Sequence, residues 1–152
     1  MVEGLLKILV VEASVIAHAT EDLDKVQTAL KNIMPADILG DITLSKSHLE
    51  GHHRNPITLL KAEVKGRKAT ESFVRNLASS LTDDDKKKLS YEFRDHVDEE
   101  GSLFIRLDKQ AAFLGRLRMK EEDPVRVRVR FAISGRKVEE ISEACRRLGL
   151  IP

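Results

Sequence analysis

Cysteine is nearly absent: Cys145 is the only one in 152 residues. That count excludes a disulfide framework and a multi-cysteine zinc site. Aromatic residues make up 4%, with no Trp and one Tyr, which argues against a protein that stacks single-stranded bases on exposed rings. Asn and Gln number three and two beside abundant Lys, Arg and Glu, a composition that points to a thermophile. No run approaches the ~18 apolar residues of a membrane span. Glu12 closes the short LLKILVV stretch, so a signal-peptide layout is missing and a cytoplasmic protein without membrane contact is expected. Neither phosphate-cradling glycine fingerprint is present, nor is a Gly-x-Ser-x-Gly element.

Charge of one sign is also missing overall, since the net value is +1, but its distribution is uneven. Residues 46–68 hold six Lys/Arg against Glu50 and Glu63, and residues 116–152 hold ten against six acids, so each segment carries +4. Residues 82–100 carry −4, from eight acids against four basic residues. A nucleic-acid binder needs its basic residues on one face rather than a high global charge.

The most informative stretch is Asp123-Pro124-Val125-Arg126-Val127-Arg128-Val129-Arg130-Phe131-Ala132-Ile133. Its alternation is that of a half-buried strand, with Val125, Val127, Val129, Phe131 and Ile133 toward a core. Arg126, Arg128 and Arg130 then stand on the other face, about 6.7 Å apart. Three guanidiniums on one strand need anionic partners, either carboxylates of neighbouring strands or the phosphates of a polyanion.

Elsewhere the pattern predicts a central strand from Leu6 to about His18, and a helix capped by Thr20 with Leu23, Val26, Leu30 and Ile33 inside, ended by Pro35. Two strands, Ile42–His48 and Ile57–Lys65, flank the turn Glu50–Pro56. Phe73, Val74, Leu77, Ala78 and Leu81 mark a second helix, and Thr82 caps a third that includes Leu89 and Phe93. A strand over Leu103–Leu107, a short helix begun by Asp108, the arginine strand and a last helix over Val138–Leu148 follow, with Gly149 at its C′ position. The expected fold is α+β: a mixed, mainly antiparallel sheet with helices on one face, in the order β-α-β-β-α-α-β-β-α. Residues 1–152 read as a single domain.

Catalysis finds little support. Cys145 falls on the apolar stripe of the last helix, where a thiol is buried and inert. His48, His52 and His53, with His18 and Glu50, are the candidates for a metal site or a metal-dependent RNA hydrolase. Their spacing matches no established zinc pattern, so no bound metal, cofactor or enzymatic activity is expected. The loop is better suited to contact: Gly51 allows an unusual backbone angle, and His52, His53, Arg54 and Asn55 present stacking and phosphate-binding groups at a hairpin tip. Lys65, Arg67 and Lys68 add charge at the next strand end.

The stretches HATEDLDKV (18–26), LEGHHRNPI (49–57) and SLFIRLDKQAAFLG (102–115) resemble an archaeal family described as predicted exosome subunit or RNA-binding protein. The likeness covers essentially the whole chain. It implies a sheet related to that of the ribosomal protein that binds 5S RNA, resembling the double-stranded-RNA-binding fold, and it implies RNA as partner. A small residue usually stands where this chain has Arg54. The resulting expectation is a non-catalytic RNA-binding protein in RNA processing or exosome- or ribosome-linked metabolism, contacting RNA through Arg126, Arg128 and Arg130 and the His52–Asn55 loop. The alternative is a module for docking into a larger complex or for self-association as a homodimer, without RNA contact.

Overall fold

The computed structural model describes residues 6–152. Five strands form one sheet: β1 (Ile8–His18), β2 (Ile42–Glu50), β3 (Pro56–Lys65), β4 (Ser102–Leu107) and β5 (Val125–Phe131). Their spatial order is β2-β3-β1-β5-β4, and every neighbouring pair is antiparallel. The helices are α1 (Leu23–Asn32), α2 (Arg67–Ser80), α3 (Asp83–Tyr91), α4 (Lys109–Phe113) and α5 (Val138–Arg147). This is the expected α+β architecture, and among the described residues no helix is long and apolar enough to cross a membrane.

Strand alternation sorts the sheet into two faces. Val11, Ala13 and Val15 of β1 meet Val64, Ala62 and Leu60 of β3 on one side and Val129 and Val127 of β5 on the other, all buried. Leu103, Ile105 and Leu107 extend this layer onto β4. Helices α1 and α2 lie against β1 and β3. Each fully buried Val or Leu contributes about 1.5–3 kcal/mol by leaving water. A one-residue slip of β5 would drive three arginines into this layer, so the pattern fixes the register.

Local signals explain most boundaries. Thr82 caps α3 by accepting from the Asp85 amide at 3.1 Å. Gly149, at φ 84°, ends α5, and the Leu150 amide turns back to the Cys145 carbonyl at 2.9 Å. Three expectations need correction. The cap of α1 is Asp22, which accepts from the Asp24 amide at 3.0 Å, because residues 19–21 are consumed by a turn that returns the Glu21 amide to the His18 carbonyl. Phe93 lies in a separate 3₁₀ turn beyond α3. The arginine strand ends at Phe131, where the Ile133 amide folds back onto the Phe131 carbonyl at 2.9 Å.

Candidate nucleic-acid interface

The face opposite the helices carries the alternate residues in rows that run across the strands. The first row is Lys65, Val10, Arg130 and Ser102; the second is Glu63, Glu12, Arg128 and Phe104; the third is Lys61, Ser14, Arg126 and Arg106. As the alternation requires, Arg126 and Arg130 are exposed between buried Val125, Val127 and Val129.

The three arginines are not equivalent. Arg128 is only 26% exposed, and its guanidinium donates to Glu100 at 2.9 Å and to the Ser102 hydroxyl at 3.1 Å, with Asp98 at 3.8 Å. It also lies over the Phe104 ring, 5.7 Å from the centroid. Arg126 and Arg130 have no carboxylate partner among the described residues. The expected row of three cations is therefore two free arginines flanking one neutralised arginine. Four residues of strand separate the free pair by about 13 Å.

The other basic candidates divide between faces. Lys61 and Lys65 share the face, leaning on Glu12 at 3.1 Å and Glu63 at 3.2 Å. Each joins an exposed lysine to a half-buried glutamate, a pair still open to solvent on the lysine side and of modest strength. Arg67 is paired along α2 with Glu71 at 3.3 Å. Lys68 borders a different depression, with Asp37 and Arg75. The two basic segments of the sequence thus overlap on the open face only in part.

The loop between β2 and β3 is a 3₁₀ turn over His52–Arg54, closed by the Gly51 amide on the Asn55 carbonyl at 2.6 Å. Its left-handed residues are His53 (φ 56°) and Arg54 (φ 61°), not Gly51. Gly51 is needed for space instead, since a Cβ there would stand 2.9 Å from the Ile57 side chain and 3.0 Å from the Asn55 carbonyl. His53, Arg54 and Asn55 are exposed. Non-glycine residues held at positive φ carry strain of order 1–3 kcal/mol, which here presents polar side chains at the hairpin tip.

A cluster that sequence reasoning missed lies at the same end of the sheet. Lys109, only 10% exposed, donates from Nζ to the Ile16 carbonyl at 2.8 Å, to Glu21 at 3.0 Å and to Asp123 at 2.9 Å. His18 Nε2 hydrogen-bonds the other Asp123 oxygen at 3.0 Å. Burial pushes the Asp123 carboxyl up, but the hydrogen bonds from Lys109 and His18 outweigh it and hold the group below its ordinary value. Lys109 directly follows Asp108, whose side chain caps α4. The partners lie on three other segments, which is why spacing along the chain did not reveal them.

Among the described residues, His18, Glu21 and Asp123 are the set whose ligand atoms converge closely enough for a metal, within 4.8 Å of one another. The ammonium of Lys109 already occupies that point, and a divalent ion would have to share it with a fixed positive charge. His48 is engaged elsewhere, its Nδ1 lying 3.2 Å from the Thr58 hydroxyl. Elemental analysis of the purified protein is expected to find no stoichiometric zinc or manganese. A stoichiometric metal lost in a His52→Ala/His53→Ala variant would contradict this. Burial pushes the Cys145 thiol up to about 12, as expected of an inert core cysteine.

The stretches 18–26, 49–57 and 102–115 meet at this end: His18 pairs with Ile57 across β1 and β3, and Lys109 reaches Glu21. The fold and its exposed rows define a small α+β protein whose open sheet face bears two arginines without a carboxylate partner among the described residues. The chain belongs to the RNA-binding family, whose model, described as RNA binding, matches residues 10–131. It is 37% identical over 131 residues to the RNA-binding protein PAB1135 of Pyrococcus abyssi, covering 85% of each chain. It is 32% identical over 118 residues to the uncharacterized protein MJ0213 of Methanocaldococcus jannaschii, covering 76% of this chain and 78% of that one. Among solved structures, protein AF2318 of Archaeoglobus fulgidus superposes with a TM-score of 0.80 at 31% identity, covering 93% of this chain and 99% of the other.

Proposed function

We propose that this protein is a non-catalytic RNA-binding module that acts as one unit over residues 1–152 and grips the RNA backbone. The observation that carries the reading is the pair of guanidiniums, Arg126 and Arg130, without a partner among the described residues, held on one rigid strand of a chain that belongs to the RNA-binding family. Phosphate is the anion whose geometry the planar guanidinium fork fits best. Lys65 extends the surface two strands away from Arg130, across Val10. His53, Arg54 and Asn55 supply a second contact at the hairpin tip, while Arg128 stiffens the row between the free arginines. The side chain of His52 lies outside the described residues. Arg67 and Lys68, in the first turn of α2, contact a long RNA only. Backbone contacts position without reading sequence, so selectivity among RNA sequences is weak. A cytoplasmic place in RNA processing, within an exosome- or ribosome-linked complex, belongs to the same reading and is tested by co-purification.

The direct test is binding of a labelled generic RNA to the full chain at two salt concentrations. With about three phosphate contacts, affinity falls roughly 20-fold between 50 and 200 mM salt for single strands and roughly 40-fold for duplex. Absence of any RNA affinity at 50 mM salt would overturn the reading. The surface would then be one for docking a protein partner or a second copy.

A further inference from the structure

We propose that the row Lys61, Ser14, Arg126 and Arg106 is a seat for one phosphate group, and that Glu121 is its built-in placeholder. The inference rests on the RNA-binding reading and names where on the face a phosphate is held. The register puts Arg106 of β4 directly opposite Arg126 of β5. Like charges directly opposite on neighbouring strands repel and destabilise the pair unless an anion bridges them. Arg126 has no carboxylate partner among the described residues, and Arg106 has only Glu121, at 3.5 Å.

That contact is loose. The Arg106 and Glu121 side chains are 44% and 65% exposed, and such a pair contributes little and separates readily. On the other side of Arg126 stands Ser14, with Lys61 beyond it. The small side chain leaves a depression of about 160 Å³ bordered by Ser14, Arg126 and Glu121. Arg106, outside its lining, stands on the far side of Arg126 and meets the Glu121 carboxylate. A phosphodiester offers two non-bridging oxygens for the two forks, which the single carboxylate contact on Arg106 does not match.

The loop that carries Glu121 is anchored two residues on, where Asp123 is bound by Lys109 and His18. Glu121 thus stays beside the row without being fixed to it. A phosphate entering the seat displaces Glu121 from Arg106 and relieves the repulsion between the facing arginines. Lys61 remains turned toward Glu12 and contributes charge at longer range.

Three single variants of the full chain test this with a labelled 12-residue poly(U) at 50 mM salt. Glu121→Gln is expected to tighten binding about three- to fivefold, because the placeholder is gone. Glu122→Gln makes the same change in net charge one residue away and is expected to alter affinity less than twofold. Arg106→Gln is expected to weaken binding about tenfold and make the salt dependence shallower by about 0.7. It should do so without lowering the melting temperature, since removing one of two facing cations relieves repulsion. Equal gains from the two glutamate variants would reduce the effect to general charge and overturn the seat, as would loss of stability in Arg106→Gln with affinity unchanged. If the wild-type chain binds no RNA, the RNA reading itself has failed. The seat is then judged with inorganic phosphate: saturable amide shifts at Ser14 and Arg126 on titration support it, and their absence removes it.

Discussion

An Arg126→Gln/Arg130→Gln variant should lose about 100-fold in RNA affinity at 50 mM salt and remain folded. Each arginine is exposed and lacks a carboxylate partner among the described residues, so its charge is available to a phosphate. A charge-assisted contact of about 1.4 kcal/mol corresponds to tenfold in affinity, and two such contacts give the expected loss. The plot of log affinity against log salt should become shallower by about 1.4 for single strands and 1.8 for duplex, as two counterion releases disappear. The loss should be similar for every RNA sequence tested, because neither arginine reads a base edge. Arg128→Gln is the contrasting variant. It leaves Glu100, Asp98 and Ser102 without their common partner, so it should lower stability by about 1 kcal/mol and leave the salt dependence nearly unchanged. A double variant that binds RNA as the wild type does would remove this strand from the binding surface.

Lys109→Ala should lower unfolding stability by about 2–3 kcal/mol. Removing one partner of a fully buried ion pair costs about 3–5 kcal/mol, and the value is reduced here because Asp123 is 51% exposed and can rehydrate. The melting temperature should fall by about 5–10 °C for a chain of this length. Lys109→Met keeps the aliphatic stem and should lose nearly as much, which assigns the effect to the ammonium rather than to packing. Equal melting temperatures for wild type and Lys109→Met would show that the cluster contributes nothing.

The pH dependence carries the same signature. The Asp123 carboxyl sits below its ordinary value of 3.8 in the folded chain. A depressed carboxylate contributes stability that is fully present above its unfolded value and lost as pH falls through the folded one. The wild type should therefore lose stability more steeply below about pH 4 than Lys109→Met, which a series of thermal melts would show.

What the sequence made legible follows from the range of the interactions involved. The alternation of Val125 to Phe131, the Thr82 cap and the Gly149 stop are written within a few neighbouring residues, and each gave the right element. The number and order of strands followed from such local signals. Register did not: nothing near Arg106 says that it faces Arg126, because that pairing is set by how β4 and β5 align across an intervening helix and loop. The partners of Arg128 were hidden for the same reason, since Asp98 and Glu100 belong to a charge run that reads as solvated surface. Lys109 is, by sequence, only the residue that follows the cap of a short helix. Only the folded chain brings Glu21, Asp123 and the Ile16 carbonyl to its ammonium. The close spacing of His48, His52 and His53 carries no sign of the contact that His18 makes with Asp123 from over a hundred residues away.

The sheet order also governs when the surface comes into being during synthesis. Strands β1, β2 and β3 lie in the first 65 residues and are neighbours in the sheet, so a nascent chain can pair them early. Strand β4 emerges next but has only β5 beside it, and β5 in turn must dock on β1. Domains generally fold from the N-terminus as the chain is extended at roughly 5–20 residues per second, and here the second half of the sheet waits for residue 131. A chain cut short before Val125 loses two strands from the sheet rather than one, and with them Arg106, Arg126 and Arg130 together.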